Sequence, residues 1–130
     1  MNKVTKMEIN NLTKFKIDEK SFAQVAKKVL KGENRETETL SLAFIGKDEI
    51  KKLNKKFRQK NKATDVLSFN LKEENILGEV VICPEVVKEK EEDLKQVFIH
   101  GVLHLLGYDH EKSEKEAEEM EVKEDFYFKN

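Results

Sequence analysis

The sequence predicts an α+β fold: a small mixed sheet of four strands packed with about five helices, and a metal site at the end of a buried helix. Three observations predict it. Short strand-like runs alternate with segments whose apolar residues recur at helical spacing. The segment Val97 to Leu106 is apolar on all sides except at two histidines, as in a helix enclosed by the rest of the molecule. All three histidines of the chain fall between positions 100 and 110. With 130 residues and 38% hydrophobic content, residues 1–130 are expected to form one domain around one core.

Met7 to Asn11 has the character of a short strand. Asp18 can then accept from the free N–H groups at a helix start, and Phe22, Val25, Ala26 and Val29 recur on one face until Gly32 ends the helix. Thr39 to Ile45 is a strand-like run stopped by Gly46, and helical spacing resumes from Asp48 to Phe57 through Ile50 and Leu53. Strand, helix and strand in this order suggest a parallel pair with a right-handed crossover. Val66 to Phe69 and Glu79 to Ile82 are β-branched or aromatic segments, so the polar stretch between them, ending at Gly78, is expected to be a connection. Pro84 suits the start of a short helical turn, where its missing N–H is not needed. From about Glu91 to Leu106 the pattern is helical, with polar first turns. Ser113 and Glu116 form a capping-box pattern that starts a last, strongly charged helix running towards Phe126.

Net charge favours no partner, because 25 Lys+Arg nearly cancel 26 Asp+Glu; only the distribution is informative. Lys51 to Lys62 holds six lysines and Arg58 with no acidic residue, a stretch where a polyanion could dock. Glu111 to Asp125 carries eight acidic residues against three lysines, so the surface is dipolar. A solvated helix face would look the same for the lysines alone. Cys83 is the only cysteine and permits no intramolecular disulfide; with no apolar signal core and no run long enough to span a bilayer, a cytoplasmic protein without a membrane partner is expected.

The chemistry lies in His100-Gly-Val-Leu-His104-Leu-Leu-Gly107-Tyr-Asp-His110. Residues four apart project from one face of a helix, one turn apart, so His100 and His104 can share a metal ion. Gly107 stands where a helix commonly ends in a left-handed residue, after which the chain can turn back and bring His110 to the same point. Three protein ligands leave a fourth tetrahedral position for water, whose pKa falls to about 7 on zinc, as a catalytic site requires. Two other readings stay open: histidines hydrogen-bonded in the core, and a closed structural site with Cys83 as fourth ligand. The spacing also matches the metzincin peptidase signature, but Gly101 stands where those enzymes place their glutamate general base, which leaves peptide cleavage without its proton shuttle.

Arg58 is one of only two arginines among 25 basic residues. An arginine in a lysine-rich stretch points to a task for a planar, bidentate donor, such as gripping a phosphate; a structural ion pair is the alternative. Asp109 could orient a ligand imidazole or cap the turn before the last helix.

The window from His100 to His110 resembles the H-G-x-L-H-L-x-G-Y-D-H signature of the YbeY family of endoribonucleases and rRNA maturation factors. Leu53-Asn54, Phe57-Arg58 and Thr64-Asp-Val-Leu-Ser-Phe69 resemble its second block, and Leu77-Gly-Glu-Val-Val-Ile82 its strand before the metal helix. Ala63 and Asn70 stand where prolines are common, and Glu79 where an aspartate is. The resemblance implies a single-strand-specific, zinc-dependent endoribonuclease acting in ribosomal RNA processing, notably 3′-end maturation of the small-subunit RNA, and in ribosome quality control. It maps one zinc per chain onto His100, His104 and His110, and the family's functional arginine onto Arg58. Lys55, Lys60 and Lys62 would track the RNA backbone. Single-stranded RNA, ribosomal RNA or ribosome-associated proteins are the expected partners, and DNA is not. A rival of another class is a non-enzymatic ribosome-assembly factor in which the metal only stiffens the fold.

Overall fold

The computed structural model describes residues 7–130. The chain runs β1 (Glu8–Asn11), α1 (Glu19–Gly32), β2 (Thr39–Phe44), α2 (Lys47–Arg58), β3 (Val66–Glu73), β4 (Ile76–Ile82), α3 (Pro84–Glu89), α4 (Leu94–Leu105) and α5 (Glu114–Lys129). The four strands form one mixed sheet in the order β1-β2-β4-β3. β1 with β2 and β2 with β4 are parallel, and β3 with β4 is antiparallel. The expected α+β class, strand number and helix number are all present.

Alternation along the strands divides the core in two, because successive side chains leave opposite faces of a sheet. Leu40, Leu42, Phe44, Val80 and Ile82 pack with Phe22 and Val29 of α1, Phe98 and Val102 of α4, and Met120 of α5. On the other face, Leu67, Val81 and Cys83 meet Ile50 of α2 and Val86 of α3. The apolar residues on both faces of the central β2–β4 pair are therefore packed against helices.

Three local expectations need correction. The polar stretch before Gly78 is not a connection: β3 continues to Glu73 and β4 begins at Ile76, pairing Asn70 with Gly78 and Glu73 with Ile76. The turn is reduced to Glu74 and Asn75, with Asn75 in the left-handed region at φ 65°. Polar residues are tolerated in this ladder because β3 lies at the sheet edge. The metal helix does not begin near Glu91, whose φ is +57°; it begins at Leu94, where the Asp93 carboxylate accepts from the N–H groups of Lys95 (2.8 Å) and Gln96 (3.2 Å). The last helix continues past Phe126 to Lys129, and Ser113 caps it by accepting from the Glu116 N–H at 3.1 Å. The Asp18 cap on α1 is as expected, through the Ser21 N–H.

α1 does end at Gly32, but Gly32 is helical and Asn34 takes the left-handed conformation (φ 60°). Gly32 is bare for another reason: a Cβ there would lie 2.7 Å from Cε1 of Tyr127 on α5. The next residue, Glu33, accepts hydrogen bonds from Tyr108, Tyr127 and Lys123. Burial pushes this carboxyl up, but the three donors together outweigh burial and hold it below the ordinary carboxylate value.

α4 lies closest to the sheet at Gly101. A Cβ at this position would come within 2.8 Å of Val80 Cγ1 and 3.2 Å of Val66 Cγ2. Beside this contact, the Ser68 hydroxyl donates to the Gly101 carbonyl at 2.9 Å and the Asn70 amide donates to the Leu105 carbonyl at 3.1 Å. Two side chains of β3 thus fix the height of α4 over the sheet. Gly101→Ala gains up to about 1 kcal/mol of helix propensity, against an overpacking cost of roughly 1–3 kcal/mol. A net loss of about 1 kcal/mol in unfolding free energy is the expected outcome, measured by urea denaturation of the metal-free protein; a stabilised variant would show that the approach at Gly101 is not tight.

Candidate metal centre

His100 and His104 lie one turn apart on α4, and their Nε2 atoms are 3.2 Å from one another. After α4 the backbone reverses through Gly107 (φ +103°), and the Tyr108 N–H donates back to the Leu103 carbonyl at 3.1 Å. This return brings His110 onto the pair: its ring centroid is 5.3 Å from that of His100 and 5.1 Å from that of His104. One donor nitrogen from each imidazole lies within 4.8 Å of the other two. A set of three imidazole nitrogens at this spacing fits a metal ion held with an open coordination position. Cys83 is elsewhere, buried in the core on the opposite face of the sheet, so it does not close the set.

The set has a carboxylate behind it. His100 Nδ1 is 2.9 Å from Glu124 Oε2 on α5, and both side chains are largely shielded from water. A carboxylate at this distance favours the tautomer with the proton on Nδ1, which leaves the Nε2 lone pair free for an ion, the arrangement that makes an imidazole a better ligand. Glu124 has no signal in the sequence: it is one acid among seven in a charged helix, and only the packing of α5 on α4 selects it. The peptidase glutamate, by contrast, has no room at position 101, which faces the sheet. Asp109 lies in the return loop, where its carboxylate accepts from the Glu111 N–H at 2.9 Å.

The histidines open onto a cleft of about 560 Å³ whose lining includes Arg58, Lys60, Lys62 and Lys112. Arg58, at the end of α2, has no ion-pair partner among the described residues, whereas Arg35 is paired with Glu38. Lys60 and Lys62 follow it in a loop that starts with Gln59 in the left-handed region (φ 57°). The buried Asn54 holds this loop: its amide donates to the Lys62 carbonyl at 2.9 Å and its own carbonyl accepts from the Lys60 N–H at 3.3 Å. Asn54 was findable, because it stands four residues after Ile50 on the apolar face of α2, where a polar residue needs a partner. Lys55 is exposed on α2 and does not line the cleft.

His100 and His110 also line a second groove, of about 740 Å³, on the other side. Its wall carries Asp65, Glu91, Glu92, Asp93, Glu121 and Glu124. Burial, and then hydrogen bonding to Asp65, push the Glu92 carboxyl up to about 7. The imidazole cage therefore stands between a cleft lined by four basic and three acidic side chains, Asp65, Asp109 and Glu111, and a groove lined by six acidic ones, Asp65 being shared.

Fold and site together define an α+β protein whose buried helix and return loop bring three histidines to metal-binding distance beside a cleft that carries Arg58, Lys60, Lys62 and Lys112. Comparison with known proteins gives the family. A family model described as Endoribonuclease YbeY matches residues 8–130. An endoribonuclease YbeY of Bdellovibrio bacteriovorus is 51% identical over 102 residues, covering 72% of this chain and 67% of that protein. One from Persephonella marina is 39% identical over 128 residues, covering 88% and 84%. The solution structure of TM1509 from Thermotoga maritima superposes with a TM-score of 0.62 at 33% identity, over 93% of this chain and 85% of that one. The chain belongs to the endoribonuclease YbeY family.

Two outcomes follow for the centre. Glu124→Ala is expected to weaken metal binding by roughly 10- to 100-fold, measured by competition with a chelator of known strength; unchanged affinity would exclude the carboxylate's role. The second concerns pH. Burial, with the neighbouring His100 and His110, holds His104 below the ordinary imidazole value of 6.5. The unfolded chain therefore takes up a proton here before the folded chain does, so this contribution to stability is complete above about 6.5 and is lost as pH falls below it. Metal-free protein should unfold at lower urea concentration at pH 5.5 than at pH 7.5, and His104→Gln should reduce that difference.

Proposed function

We propose that this chain is a zinc-dependent endoribonuclease that cuts single-stranded RNA, acting in the cytoplasm on ribosomal RNA, including the 3′ end of the small-subunit RNA. One observation carries the reading: the three imidazoles and Arg58, which has no ion-pair partner among the described residues, line the same cleft. The names of the relatives, endoribonucleases, agree with the phosphate chemistry that this pairing suits. Residues 1–130 act as one domain in this reading.

His100, His104 and His110 would hold the ion, with His100 oriented by Glu124. Bound there, zinc supplies a Lewis acid for a phosphate oxygen and lowers the pKa of a water molecule towards 7. Arg58 grips the phosphate at the scissile bond. Its guanidinium presents two parallel N–H donors to the non-bridging oxygens and stays charged throughout, so it stabilises the negative charge that builds as the bond to phosphorus forms. Lys60 and Lys62 pair with flanking phosphates from the loop that Asn54 holds, and Lys55 extends the same positive surface along α2. Asp109 keeps the return loop in shape and so assists His110. The acidic groove on the far side repels the backbone and directs the strand to the side of the cleft that carries Arg58, Lys60 and Lys62. Ribosome-associated proteins would be the partners that bring the chain to its RNA.

The test uses wild type, Arg58→Ala and His104→Ala, each incubated with single-stranded RNA of ribosomal 3′-end sequence, beside elemental analysis of the purified proteins. Wild type should contain about one zinc per chain and cut. Arg58→Ala should keep its metal and fold while cutting at least about 100-fold more slowly, the usual loss when one charge-stabilising donor is removed. His104→Ala should lose both metal and cleavage. Cleavage by Arg58→Ala at the wild-type rate would remove the arginine from the chemistry. Zinc without cleavage in folded, nuclease-free wild type would favour an assembly factor that binds RNA without cutting it.

A further inference from the structure

We propose that Glu33, at the end of α1 and far from the cleft in sequence, is a positioning residue that fixes both the loop of the third metal ligand and the helix behind the first. The inference rests on the reading of His100, His104 and His110 as metal ligands. Of the three, His110 is the least constrained: it is exposed and lies in the return loop between α4 and α5. The side-chain tie on this loop that reaches the helical layer is the Tyr108 hydroxyl, which donates to Glu33 Oε1 at 2.6 Å. The second carboxylate oxygen of Glu33 accepts from Lys123 Nζ at 3.1 Å and from the Tyr127 hydroxyl, both on α5. Lys123 directly precedes Glu124, the acceptor of His100. One carboxylate therefore joins the loop that carries His110 to the helix that carries the partner of His100.

Two features show that this carboxylate is not there for the sake of α1. It follows the C-terminal turn of the helix, where the exposed carbonyl ends of the backbone disfavour a negative charge. Its side chain is nonetheless shielded to 10% exposure, with all three donors coming from elements at the other end of the chain. The residue before it is glycine, and a Cβ there would strike the Tyr127 ring. A ligand on a loop must be ordered before the ion can use it, and ordering supplied in advance by the fold raises affinity. Loss of the Glu33 link should therefore appear in metal binding and not only in stability.

The experiment measures Zn²⁺ affinity by chelator competition, and thermal unfolding of the metal-free form, on the full chain. The variants are Tyr108→Phe, Glu33→Gln, their double combination, and Val86→Ala in the core on the opposite face of the sheet. Tyr108→Phe and Glu33→Gln should each weaken Zn²⁺ binding on the order of tenfold, the lower end of what supporting hydrogen bonds contribute at metal sites. The double variant should lose no more than about the larger single loss, since both remove one link. Val86→Ala should lower the thermal midpoint and leave Zn²⁺ affinity unchanged. If Glu33→Gln does not fold, Tyr108→Phe decides, because it removes a single hydroxyl. Wild-type affinity in a folded Tyr108→Phe overturns the inference while leaving the metal reading intact. A wild-type chain that takes up no Zn²⁺ overturns the metal reading itself and this inference with it.

Discussion

The seat of α4 on the sheet is the constraint on which the site depends. A helix can come this near only where it has no side chain in the way, and Gly101 provides that place against Val80 and Val66. Ser68 and Asn70 then hold the helix by its carbonyls from the β3 side. A rigid helix at a fixed height determines where His100 and His104 point, because both are carried by the same turns that Gly101 presses down. The same contact excludes a glutamate at position 101 and so separates this centre from the peptidases with the same histidine spacing.

The remaining parts come from elements that share no sequence neighbourhood with α4. α5 contributes Glu124, the return loop contributes His110, and α2 with the loop after it contributes Arg58, Lys60 and Lys62. Assembly from several elements gives the centre two electrostatic sides. The cage stands between a cleft that gathers Arg58, Lys60, Lys62 and Lys112 and a groove whose charged lining is acidic, on a chain with almost no net charge.

Local reading worked where a local rule governs. The caps at Asp18 and Ser113, the reversal at Gly107 and the i, i+4 histidine pair each depend on residues within one or two turns. It failed at β3 and β4, where the polar Asn70 and Glu73 are strand because they pair with Gly78 and Ile76 of the neighbouring strand. It missed the start of α4 by three residues because the acidic stretch Glu91 to Asp93 satisfies a helical pattern, while the Asp93 carboxylate gives better service as a cap. At Gly32 it found the right helix end without the reason, which is a tyrosine from the last helix of the chain.

The sequence by itself determined the class of fold, through the periodicity of its segments, and it singled out the three histidines and Arg58, which stand in short stretches whose chemistry depends on residue type and spacing. Only the tertiary structure decided which of many similar charges matter. Glu124 was selected from the seven acids of α5 and Glu33 from the acidic residues around α1 by the packing of α5 across α4 and α1. Charged side chains look alike along a chain, and they acquire different tasks only when burial removes water and leaves one partner within reach.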